Sequence, residues 1–136
     1  MTRRAGGWLV LTANVLCGCA TPLAPPAACA PGAAPYVRET LYFGLGRPDG
    51  SRVSAADWRA FVADSILPRF PDGFTVSDAA GQWRGDAGPV AESTKVLVVL
   101  HRGASTSRVR EIAAEYRQRF RQEAVLRETS SACVEF

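Results

Sequence analysis

The chain has 136 residues, 47% of them hydrophobic, with 16 Lys and Arg against 13 Asp and Glu and a formal charge of +3. This length supplies one small core and leaves no room for a second domain. The basic excess does not describe a nucleic-acid surface, because basic side chains alternate with acidic ones in Arg110, Glu111, Glu115, Arg117, Arg119, Arg121 and Glu123, the pattern of a solvated helix face.

The chain opens with Thr2, Arg3 and Arg4, an apolar stretch from Trp8 to Leu16, and then Cys17, Gly18 and Cys19. A positive start, a short apolar core and a small residue before a cut describe an export signal. Thr12 and Asn14 interrupt the stretch, which is about half the length of the roughly 20 apolar residues that span a bilayer. The run Leu16-Cys17-Gly18-Cys19 resembles the lipobox of bacterial lipoproteins. That resemblance implies that residues 1–18 are a signal peptide and that Cys19 is lipidated. The mature protein would then hold to a membrane through its lipid anchor, since two or more acyl chains give stable attachment. An ordinary secretory signal cut near Ala20 or Ala28 is the competing reading. Because Ala20 and not Asp follows Cys19, the outer membrane is the default address in a two-membrane cell.

With Cys17 lost and Cys19 lipidated, Cys29 and Cys133 remain as a pair. In an oxidising compartment they can form a disulfide that clips the tether to the last strand, or stay two separate thiols, and geometry decides. Neither has the Cys-x-x-Cys spacing or the nearby His that activates a thiol. Residues 19–35 are rich in Ala and Pro and uncharged, so they form an extended tether with a reach of roughly 50 Å. The folded domain is expected over 36–136.

Six elements are predicted there. A strand over 37–45 ends in the turn Pro48-Asp49-Gly50. Ser54 and Asp57 form a capping box for a helix whose stripe is Trp58, Phe61, Val62 and Ile66, stopped by Pro68. A second strand over 74–84 is expected to bend or bulge at Ala79-Ala80-Gly81. The third strand, 93–101, is apolar at consecutive positions from Val96 to Leu100, so both of its faces are covered. A second helix over 107–122 presents Val109, Ile112, Ala113, Tyr116 and Phe120. Strand-like segments at 124–129 and 132–136 close the chain.

This order, βαββαβ, is that of an α+β ferredoxin-like fold, an antiparallel four-stranded sheet with two helices on one face. Two helices cover one face only, so the other needs a partner. By alternation and polarity the open face is expected to carry Tyr42, Leu97, Val99 and His101. The economical partner is a second copy, packed sheet to sheet in a homodimer as in dimeric α/β barrels.

The segments from Glu39 to Gly44, from Pro68 to Thr75, Gly81-Gln82-Trp83, Glu92 with Lys95 to Leu97, and Tyr116 through Phe120 to Glu123 together resemble a bacterial exported and lipoprotein family known only as a domain of unknown function. The resemblance spans the folded part. It implies a small secreted or lipidated domain and transfers no functional residue.

Several local patterns could carry chemistry, each beside a plainer reading. Gly44-x-Gly46 after a strand is similar to a phosphate-cradling loop, but the third glycine, Gly50, belongs to a turn. His101 is the one histidine, too few for a multi-His metal site, and serves as a general base, an axial ligand or simply a strand-end residue. Glu39, Asp78 and Glu92 are placed to meet at one sheet edge, or to pair with Arg38, Arg84 or Lys95. Gln82-Trp83-Arg84 offers a stacking face and donors, or caps the core. No catalytic residue, metal or cofactor is assigned. The leading reading is a lipid-anchored envelope module that binds or self-associates. The alternative is a small enzyme or ligand binder with a pocket at the sheet face lined by Tyr42, Trp83, Glu92 and His101.

Overall fold

The computed structural model describes residues 29–85, 88–103 and 105–136; the expected signal peptide and the lipidation residue Cys19 lie outside them. The elements run β1 (Ala34–Gly44), α1 (Ala55–Phe61), β2 (Thr75–Gly85), β3 (Gly88–His101), α2 (Thr106–Phe120) and β4 (Leu126–Val134). The four strands form one antiparallel sheet in the order β2-β3-β1-β4 with two helices, the expected α+β, ferredoxin-like arrangement. No helix among the described residues is long and apolar enough to cross a membrane.

The local signals act as their chemistry dictates. Asp57 N–H donates to Ser54 Oγ and Ser54 N–H to Asp57 Oδ2, so the capping box starts α1. The helix then widens into a π-helical turn over Val62–Ile66, where Leu67 N–H reaches Val62 O, before Pro68 ends it. Gly50 takes φ +80° in the turn after β1, a conformation side chains resist. β1 begins at Ala34, within the stretch read as tether, and pairs there with Val134. Cys29 and Cys133 are bonded, with Cα atoms 5.5 Å apart, so the segment before β1 is joined to the end of β4. Such a bond forms and persists in an oxidising environment.

The core lies between the helices and one face of the sheet. Leu41 and Phe43 of β1 and Leu97 and Val99 of β3 meet Trp58, Phe61, Ile66, Val109, Ile112, Tyr116 and Phe120. Phe43 sits among Trp58, Phe61 and Tyr116, with ring centroids 4.6–5.9 Å away. Edge and tilted contacts of this kind add to the apolar burial of each ring.

Two expectations are corrected. The register sets Leu41 opposite Leu97, Glu39 opposite Val99 and Val37 opposite His101, which puts Leu97, Val99 and His101 on the helix face. The open face instead carries Tyr42, Val96, Val98 and Leu100. Polarity misassigned the faces because the helix face holds a buried polar cluster of its own. The expected bulge at Ala79-Ala80-Gly81 is also absent: β2 and β3 pair in unbroken register from Thr75↔Val98 to Gly85↔Gly88.

Candidate functional site

β1 ends at Gly44, where the chain leaves the sheet beside β3, and this exit is built around Glu92. Gly46 N–H donates to Glu92 Oε1 at 2.6 Å and Trp83 Nε1 donates to Oε2 at 2.8 Å. A Cβ at Gly44 would lie 2.5 Å from Glu92 Oε2, and one at Gly46 would lie 2.9 Å from Oε1. The two glycines that resemble a phosphate cradle therefore make room for the chain's own carboxylate. From the helix side, Tyr116 Oη donates to Gly44 O at 2.7 Å, and Gln122 Nε2 donates to Gly46 O. Burial, and then the charge of Glu92, raise the Tyr116 pKa above the ordinary phenol value, so this hydroxyl remains a donor.

Next to this seat the open face carries a groove of about 200 Å³, lined by Tyr42, Ala79, Gly81, Trp83, Thr94 and Leu126 among others. Ala79 and Gly81 contribute little side-chain volume, which leaves this space open between the larger side chains. Tyr42 Oη donates to Glu128 Oε2 at 2.8 Å, a bond that raises the tyrosine's pKa. Of the exposed large apolar side chains, Trp83, Val90, Leu100 and Leu126 fall on this face by register.

Among the expected ligand residues, Tyr42 and Trp83 thus line one groove, with Glu92 bonded to Trp83. His101 is not with them. It lies under the helices, 7% exposed, with Phe70 stacked on it at 6.2 Å and its Nε2 3.8 Å from Oε1 of Glu39. Glu39 is fully buried, accepts from Thr129 Oγ1 at 2.8 Å, and has Arg127 Nε 3.6 Å away. Glu39 Oε1 and both ring nitrogens of His101 find no hydrogen-bond partner among the described residues. A cleft of about 350 Å³ between α2 and β4 is lined by Arg110, Arg117, Glu123 and Arg127, but by neither Glu39 nor His101.

The three carboxylates expected at one sheet edge are dispersed. Glu39 is under the helices, Asp78 pairs with Lys95, and Glu92 holds the open-face seat. Sequence reading missed Glu128, Tyr116 and Gln122 as partners of the site. The available signal was the glycine pair at 44 and 46, which marks a close approach to the backbone without saying by what. No group of three or more His, Cys, Asp or Glu that could hold a metal occurs among the described residues.

Several solved chains share this fold, among them two of a phage SAM lyase. A phage SAM lyase in complex with S-methyl-5'-thioadenosine superposes with a TM-score of 0.57 at 15% identity, covering 83% of this chain and 97% of the lyase chain. The phage SAM lyase in its apo state gives 0.55 at 18% identity, covering 77% and 91%. No curated protein matches in sequence. The model of the family described as protein of unknown function (DUF3574) matches residues 38–136, which contain the sheet from Arg38 onward, both helices and the Glu92 seat, and the chain belongs to that family.

Proposed function

We propose that this chain is an exported, lipid-anchored module of the cell envelope that acts by binding, and that the open face of its sheet meets a second copy of itself. The observation that carries this reading is the placement of Trp83, Val90, Leu100 and Leu126, exposed and apolar, on the one face no helix covers. Apolar area of this kind gains free energy when removed from water. Arg38 and Glu128 are also on that face, so an antiparallel copy can set opposite charges against each other. The disulfide is consistent with export, and Cys19 after a short apolar stretch is the residue that would carry lipid.

The test is intact mass with light scattering on protein extracted from membranes. Lipidation adds acyl mass at Cys19, and Cys19→Ser releases the protein from the membrane fraction. Val98→Lys on the open face shifts the particle from dimer to monomer with its circular dichroism retained. A monomeric wild type at high concentration, or an unlipidated N-terminus, overturns the respective half of the reading.

A second reading, a small enzyme or ligand binder, is favoured by the groove beside Trp83 and by the nucleoside thioether bound to a protein of the same fold. A thermal shift with S-methyl-5'-thioadenosine that Trp83→Leu abolishes would support it. No shift at millimolar concentration removes that ligand.

A further inference from the structure

We propose that the groove on the open face recognises a free small organic cation, a methylated ammonium head group. Two aromatic side chains line the groove, and each directs its one polar hydrogen at a carboxylate. Trp83 Nε1 donates to Glu92 Oε2 and Tyr42 Oη to Glu128 Oε2, both at 2.8 Å. An anionic acceptor behind an N–H or O–H enriches the π face of the ring, the surface that attracts a cation. Neither carboxylate forms an ion pair among the described residues, and no Lys or Arg lines the groove. Each Glu92 oxygen takes one hydrogen bond and keeps a lone pair, so the seat remains negative after both donors are satisfied.

Charge complementarity selects the occupant. No Lys or Arg in the lining would pair with an anion, and both rings are backed by carboxylates; Arg38, on the same face near Tyr42, stands outside the lining. A neutral apolar group would keep the contacts with Leu126 and the rings and lose the attraction. The volume of about 200 Å³ is below the roughly 300–1,000 Å³ of sites that enclose drug-sized ligands, which suits a small head group. Trp83 and Leu126 line the groove and also stand on the face proposed for self-association, so cation binding is tested in a monomer as well as in the wild type.

The probe is choline, titrated into the full chain while the indole N–H resonance of Trp83 is followed, with 3,3-dimethylbutan-1-ol as its uncharged isostere. Choline is expected to shift that resonance and to bind about ten-fold more tightly than the isostere. Glu128→Gln, an exposed change, weakens choline about three-fold and leaves the isostere unaffected, and Glu92→Gln weakens it further. Equal affinity for choline and the isostere overturns the proposal. So does a Trp83 shift produced by inorganic phosphate and not by choline, or a folded Glu128→Gln and Glu92→Gln pair that binds choline as well as wild type. Repeating the titration with Val98→Lys separates this result from the oligomer, since the cation is expected to bind that variant at least as tightly as wild type once no second copy covers Trp83 and Leu126.

Discussion

Gly44 and Glu92 share one space: a Cβ built on residue 44 would fall 2.5 Å from Oε2 of the Glu92 carboxylate. Gly44→Ala must therefore displace the carboxylate or shift β1 against β3. The expected loss is about 2 kcal/mol, the usual range for overpacking. The double variant Gly44→Ala with Glu92→Ala recovers part of that loss in a urea-denaturation cycle. Additive costs would show that the two positions do not compete.

Tyr116 predicts an alkaline limit. Its folded pKa is raised above the unfolded value by burial and by Glu92. The stability this contributes is fully present below the ordinary tyrosine value and is lost as pH rises through the folded pKa. Wild type should lose stability above about pH 10. Tyr116→Phe should flatten that part of the pH profile, and at neutral pH should lose about 1 kcal/mol with the bond to Gly44 O. A Tyr116→Phe profile parallel to wild type in alkali would assign the slope to other groups.

The Cys29–Cys133 bond closes a sequence separation of 104 residues. Cross-linking so long a loop restricts the unfolded chain, and its removal is expected to destabilise the domain by about 3–5 kcal/mol. Chemical denaturation of Cys29→Ser with Cys133→Ser measures it. A change under about 1 kcal/mol would mean that the ends contribute little.

Glu39 is fully buried beside His101 and Arg127. Glu39→Ala removes the acceptor of Thr129 and the ion pair with Arg127 and opens a cavity in the buried cluster, at an expected cost of about 2–5 kcal/mol. Glu39→Gln keeps the volume and the acceptor for Thr129 and should cost less. Equal losses for the two would indicate that charge and not volume holds this cluster.

The element order was legible because its signals are local. The step of three and four through Trp58, Phe61 and Val62, the Ser54 capping box and the doubly apolar run Val96 to Leu100 each state a conformation within a few residues. Which face a strand residue takes is not local. Lys95 and His101 made their set look solvent-facing, but the pairing of Val37 with His101 and of Glu39 with Val99 settles the matter through β1. His101 stands inside beside the buried Glu39, which Arg127 and Thr129 reach from β4. The site was legible in part. Tyr42, Trp83 and Glu92 were expected in one pocket together with His101, which lies on the other face, and Gly44-x-Gly46 marked a close approach to the backbone. The group that approaches is a carboxylate of the same chain, 46 residues from its Gly46 donor, and no spacing rule encodes such a contact.

The bond between Cys29 and Cys133 also decides where mechanical load enters this domain. β1 is an inner strand, zipped to β3 on one side and β4 on the other. Without the bond, tension on the chain ahead of Cys29 would fall on β1 alone and peel it from both neighbours. With it, the far end of β4 takes up the pull from the outset through covalent links, so the ladders flanking β1 are sheltered until a reductant opens the clasp.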